Sequence, residues 1–325
     1  MKKKLQIGAF IFFVSWVTMA QQIPLYNQYM LNPYLINPAV AGGDGYTTFN
    51  ITARNQWLGF KNAPATQAFT VQSRLLKRSF IIKSSTPRKR ILKPSRSGRV
   101  GLGGMIFNDV NGQMQRTGIS VTYAYHIRIR ESQLSFGLNG IVYQVKLHED
   151  ELTFYNPNEP LLGTGLRRIL VVPDANFGVY WLNYKYFAGL SVYQLFESYL
   201  KLGNTAWKDY HMMRHYYLYG GYRFYINQEF EIEPSVLVKS SEQLIVQVDA
   251  NCKLYFNKLF WAGVSYRSTS SLAVMLGLKA DRYYFGYSFD YGLNSLARHT
   301  YGSHEFSISM KLGDSARRYR WLERY

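Results

Sequence analysis

Leu244-Ile245-Val246-Gln247-Val248-Asp249-Ala250-Asn251-Cys252-Lys253-Leu254 places Leu244, Val246, Val248, Ala250, Cys252 and Leu254 on one face and Gln247, Asp249, Asn251 and Lys253 on the other. Successive strand side chains point to opposite faces, so this period of two reads as a β-strand with one apolar and one polar side. The pattern recurs. Ile119, Val121, Tyr123, Tyr125 and Ile127 alternate with Ser120, Thr122, Ala124 and His126. Tyr283 to Tyr291 and Glu305 to Leu312 repeat it. In a soluble sandwich the apolar face is the core; in a transmembrane barrel it meets lipid and the polar face lines the lumen. Alternation alone leaves both open.

The start of the chain favours the barrel. Lys2, Lys3 and Lys4 precede an apolar run, Ile7 to Val17, that ends in Thr18-Met19-Ala20. This is the three-part plan of a secretory signal, with cleavage expected near Ala20. The apolar run is shorter than the roughly 20 residues a spanning helix needs. Removing the three signal lysines leaves 35 basic against 20 acidic residues, about +15. Basicity often means nucleic acid, but an exported chain points to anionic membrane surfaces or acidic glycans instead. Aromatics make up 17% of the residues. Trp57, Phe60, Tyr216, Tyr217, Tyr219, Phe260 and Trp261 fall near segment ends, where the interfacial girdles of a barrel would sit. The single Cys252 forms no internal disulfide and, on an apolar face, reads as a small hydrophobe.

These signals predict an all-β transmembrane antiparallel up-and-down barrel of about 14 strands, within a range of about 12 to 16, behind a short N-terminal helical or extended segment. The expected division is a signal peptide at 1–20, a periplasmic or lumenal segment at 21–45, a barrel at 46–312 and a basic tail at 313–325. An even strand number leaves both ends of the barrel in the periplasm. The longer connections near 56–65, 145–173, 195–211 and 292–302 then fall outside, and the tight links at 183–184, 226–228, 257 and 280–281 fall inside. One connection breaks this rule: Lys77 to Arg99 carries nine basic residues and no acid on the periplasmic side. It reads either as an electrostatic docking site or as a solvated insertion. Two Asn-Pro steps mark the segment before the first strand, which reads as a helical turn around Tyr26 to Leu31 followed by extended chain. Its low polarity predicts packing against the mouth or lumen of the barrel, or against the membrane surface.

No catalytic constellation emerges. His211 and His215 would share a strand face about 13 Å apart, too far to ligate one ion. Gly101-Leu102-Gly103-Gly104 lacks the helix that a phosphate-cradling loop requires. Glu149, Asp150 and Glu151 form an acidic patch in an external loop. The expectation is a protein that is not an enzyme and uses no cofactor or metal.

Four segments carry a family resemblance: LYNQYMLNPYLINPAVAG at 25–42, RNQWLGFKNAPATQAFTVQSRL at 54–75, GLGGMIFND at 101–109, and 277–313, which ends in HEFSISMKLG. The chain resembles the PorP/SprF family of Bacteroidota outer-membrane proteins over nearly all of its mature length. The resemblance implies an outer-membrane barrel of the type IX secretion system, working with other components of that system and with outer-membrane lipid. It further implies export or surface anchoring of a particular cargo protein, such as a gliding or attachment adhesin or its C-terminal domain. Nucleic acid is not an expected partner. Candidate contact residues are Trp57, Phe60 and Lys61 in the first external loop and Tyr26, Asn27, Gln28 and Tyr29 in the N-terminal segment. Trp57 and Phe60 equally suit ordinary girdle anchoring. The alternative function is a diffusion channel or hydrophobic-solute transporter.

Overall fold

The computed structural model describes residues 26–75, 99–147, 169–197, 199–200, 210–269 and 271–313. The signal peptide, most of the basic Lys77 to Arg99 connection, the Glu149 to Glu151 patch and all of the C-terminal tail but Gly313 lie outside the described residues.

Fourteen antiparallel strands form the wall. They are β1 (Thr47–Asn55), β2 (Ala65–Leu75), β3 (Val100–Asn111), β4 (Met114–Ile129), β5 (Ser132–Leu147), β6 (Ile169–Asn183), β7 (Tyr186–Tyr193), β8 (His215–Tyr222), β9 (Phe230–Ser241), β10 (Val246–Phe256), β11 (Phe260–Arg267), β12 (Ser271–Ala280), β13 (Tyr283–Gly292) and β14 (Ser303–Leu312). After Arg223, the pair Phe224–Tyr225 resumes the path of β8 against β9. Each strand pairs with its sequence neighbours, and β1 pairs with β14 from Thr47↔Leu312 to Asn55↔His304. The barrel therefore closes and leaves no edge strand to solvent or lipid.

The face assignment follows from burial. On β4, Ile119, Val121 and Tyr123 are more than half exposed on the outside, whereas Ser120, Thr122, Ala124 and His126 are buried inside. On β10, Asp249, Asn251 and Lys253 point inward and Val246 and Leu254 outward. Leu244 departs from the expected strand: it sits in the preceding turn with φ +59° and is highly exposed. Cys252 is half-buried and follows the apolar phase.

The expected aromatic girdle needs correction at three positions. Tyr216 and Phe260 face outward, but Tyr217, Tyr219 and Trp261 are buried in the lumen. The period of two decides this, because aromatics one residue apart cannot share a face. On the β6–β9 arc the inner wall is accordingly aromatic: Tyr180, Phe187 and Tyr219 pack with ring centroids 6.0–6.4 Å apart. That apolar arc requires something to cover it.

Candidate functional site

The N-terminal segment covers it. Residues 27–31 make a turn, closed by the Leu31 N–H to Gln28 carbonyl bond at 2.8 Å. The chain then does not extend as expected. Two 3-10 turns follow, Pro33–Leu35 and Pro38–Val40, each with an Asn-Pro step at its start. Proline is favoured at the first helical position because its missing N–H would be an orphan there anyway. At the second turn the Asn37 side chain accepts the Ala39 N–H at 2.9 Å, a side-chain cap of the ordinary kind.

The segment crosses the lumen as a plug. Tyr29, Met30, Tyr34, Ile36, Ala39, Val40 and Ala41 are buried with Tyr180, Leu182, Phe187, Tyr217, Tyr219, Leu237 and Trp261 of the wall. Its polar groups reach strands all around the barrel. The Asn32 amide donates to Asn50 on β1 at 2.9 Å and Thr70 on β2 at 3.0 Å. The Tyr34 hydroxyl bonds Thr122 on β4 at 2.6 Å. The Asn37 amide donates to the Val179 and Leu190 carbonyls on β6 and β7, and Asn251 on β10 donates to the Tyr29 hydroxyl at 2.6 Å. Burial pushes the Tyr34 phenol up to about 12 and those of Tyr26 and Tyr29 higher still. The Tyr29 and Tyr34 hydroxyls contribute hydrogen bonds without charge.

Wall glycines admit the plug. A Cβ on Gly101 would overlap the Ala41 carbonyl oxygen, one on Gly137 the Ala39 backbone, one on Gly178 the Asn37 side chain, and one on Gly286 the Gln28 side chain. At Gly101 and Gly137 the atoms met are plug backbone, a close approach that only glycine permits.

A buried charge cluster fixes the other end of the plug. Arg54 on β1 bonds Asp290 on β13 at 3.0 Å and Glu305 on β14 at 3.1 Å. Arg267 on β11 bonds Asp249 on β10 at 3.2 Å and Asp290 at 3.3 Å. Asn27 completes the cluster. Its side-chain oxygen accepts from Arg267 at 2.8 Å, and its backbone N–H donates to Glu305 at 2.7 Å. Charges taken out of water need partners of this kind. A second inward group, Arg223, bonds Glu233 at 2.7 Å and lies 3.5 Å from Glu231 near the opposite end of the wall.

The two sets of sequence-derived candidates lie apart. Asn27, Gln28 and Tyr29 are buried in the lumen and Tyr26 is half-buried there, so these four hold the plug and present little surface to an outside partner. Trp57, Phe60 and Lys61 are exposed on the connection after β1. That loop is stitched to the connection before β14. The Leu58 N–H donates to the Gly302 carbonyl and the Tyr301 N–H to the Leu58 carbonyl, both at 2.8 Å. Tyr301 is prominently exposed beside them, and Trp57, Leu58, Phe60 and Tyr301 form an apolar rim where the barrel closes. His215 is buried against Gln194 and the Met213 carbonyl.

Sequence reasoning missed the charge cluster and the glycine approaches. Arg54, Asp249, Asp290 and Glu305 each stand in the polar phase of a strand, but their common height depends on register. Glycine in that same phase, as at Gly101 and Gly137, was the available signal.

A membrane-spanning β-barrel whose lumen is occupied by its own N-terminal segment is the class these features define. The chain belongs to the family of the type IX secretion system membrane protein PorP/SprF, whose family model matches residues 18–310. Barrel and family together place it in the outer membrane. Among solved structures the chain is similar to the outer membrane protein Omp33 of Acinetobacter baumannii, at 6% identity and TM-score 0.45, covering 83% of this chain and 100% of that one. It is also similar to CdiB from the same organism, at 9% identity and TM-score 0.41, covering 82% and 60%, and to a mutant Rh. blastica porin, at 7% identity and TM-score 0.32, covering 82% and 99%. No curated protein matches the chain.

Proposed function

We propose that this barrel is a non-catalytic component that assists export or surface anchoring of one cargo protein, such as a gliding or attachment adhesin, after cleavage of its signal peptide near Ala20. The observation that carries this reading is the plugged lumen: Asn32, Tyr34, Asn37 and Asn27 are bonded to strands around the wall. A lumen so occupied supports a scaffold that works through its outer surface over a channel that passes solute. In this reading Trp57, Phe60 and Lys61 contact the cargo, while Tyr26, Asn27, Gln28 and Tyr29 hold the plug closed beneath them. The test is deletion of the gene, comparison of surface and medium proteomes, and conductance of the purified barrel in liposomes. The expected result is loss of one surface protein and silent liposomes. Unchanged proteomes together with steady conductance would overturn the reading in favour of a channel.

A further inference from the structure

Between the plug and the β3–β7 arc the lumen keeps a cavity of about 80 Å3. Its wall is largely apolar, with Phe107, Ile141 and Met212 as its main hydrocarbon and with the Tyr143 and Tyr193 rings beside them. One charged group is incompletely served. Asp174 is 3% exposed, and its Oδ1 accepts the Ala175 N–H at 2.7 Å and the Phe196 N–H at 3.1 Å. Among the described residues its Oδ2 is buried with no hydrogen-bond partner. A buried acceptor without a donor is costly, and native structures leave few of them.

The neighbouring polar groups do not fill that role. Arg116 also lines the cavity, but it is engaged by Asp109 at 2.5 Å. The amide of Asn176 donates to Asn139 at 2.9 Å while its oxygen accepts the Gln194 N–H at 3.0 Å. Among the described residues neither group donates to Asp174 Oδ2, and a ligand that carries its own donor satisfies it.

We propose that this cavity binds a primary alkylammonium group, with the ammonium on Asp174 Oδ2 and its alkyl stem along Ile141, Phe107 and Met212. Two features select this chemistry. The apolar wall suits a hydrocarbon stem, and aromatic faces attract a cation. A single free oxygen suits the point charge of an ammonium better than a guanidinium, whose planar fork is matched by two oxygens. The group has two natural sources, the lysine side chain of a polypeptide and a free alkylamine. The inference stands independently of the cargo reading.

The test uses the purified full-length barrel in detergent, with saturation-transfer NMR on n-butylammonium, n-butanol and a doubly capped lysine. The expected result is binding of n-butylammonium at least tenfold tighter than n-butanol. Asp174→Asn should weaken it at least tenfold, and Ile141→Phe, which fills the cavity, should abolish it. Should Asp174→Asn fail to fold, the Ile141→Phe comparison still decides. Binding of the capped lysine as well assigns the site to a polypeptide side chain; binding of n-butylammonium alone assigns it to free amines. No binding to the native barrel, equal binding of n-butanol, or equal binding to both variants would mean that the cavity holds water only, and would overturn the proposal.

Discussion

The Glu305 carboxylate, on the last strand of the wall, accepts the backbone N–H of Asn27 at 2.7 Å. Its other oxygen accepts the Gln28 N–H at 2.9 Å, and Arg54 on the first strand holds the same carboxylate at 3.1 Å. One side chain thus ties the plug to the seam where the barrel closes.

Removing that carboxylate leaves Arg54 with Asp290 alone and the Asn27 and Gln28 N–H groups without their acceptor. Glu305 and Arg54 are almost fully buried, and deleting one member of a buried pair typically costs about 3–5 kcal/mol, whereas replacing both by apolar residues is far milder. Glu305→Leu and Arg54→Met should each lower the thermal unfolding midpoint in detergent. The double variant should lose clearly less than the two singles combined. Strictly additive losses would show that the pair is not coupled.

The glycine approaches predict a contrast between two positions on one strand. Gly137 faces the plug, and any side chain there collides with Ala39. Gly140 faces outward into open space. Gly137→Leu combined with Gly178→Leu should displace the plug, and an emptied lumen of this strand number is wide enough for ions. Planar-bilayer recordings should show steady conductance for that variant and silence for the native barrel and Gly140→Leu. A folded double variant as silent as the native protein would refute the plug's role as the seal.

The wall was legible in the sequence because lipid and lumen impose opposite chemistry at every second residue. Ile119 to His126 and Val246 to Leu254 show that contrast without any knowledge of neighbours. Strand number and loop parity followed, since turns such as Asn257 with φ +50° and Asp281 with φ +53° interrupt the pattern at regular intervals. The interior was less legible. Whether Tyr217 or Tyr216 faces inward depends on phase within an aromatic run, and the contacts of Arg54 with Asp290 and Glu305 join positions 236 and 251 residues apart. Such pairs are set by register between the first and last strands, which no local pattern encodes. The plug's own 3-10 turns were hidden for a different reason: Asn-Pro reads as a helix breaker unless the proline begins the turn.

Arg223 predicts an asymmetry among its partners. It is buried between Glu233 and Glu231 and lies 4.7 Å from the Tyr255 ring centroid. Arg223→Met leaves Glu231 and Glu233 side by side on the inner face of β9, with the exposed Lys258 3.7 Å from Glu231, whereas Glu233→Gln keeps the guanidinium opposite Glu231. The first substitution should therefore lower the unfolding midpoint substantially more than the second. Arg223→Lys should recover only part of the loss, because an ammonium lacks the planar fork and the stacking face. Equal losses in Arg223→Met and Glu233→Gln would place the stabilisation in the Arg223–Glu233 bond alone.

The exposed rim offers the most direct test of the proposed function. Trp57, with φ +48°, is positioned by its N–H on the Ser303 hydroxyl at 3.2 Å. The Leu58 bonds to Gly302 and Tyr301 hold the loop rigid. Rigid exposed aromatics are the residues that carry most binding energy in protein interfaces, often 2 kcal/mol or more each. Trp57→Ala combined with Phe60→Ala should reduce surface cargo about tenfold or more while leaving the amount of folded barrel in the outer membrane unchanged. Lys61→Glu should weaken retention further at low ionic strength than at high, since exposed charges are screened by salt. Surface labelling of cargo against a count of folded barrel separates contact from anchoring. A fall in both quantities together would assign Trp57 and Phe60 to the membrane girdle, and a fall in neither would move the cargo contact away from this loop.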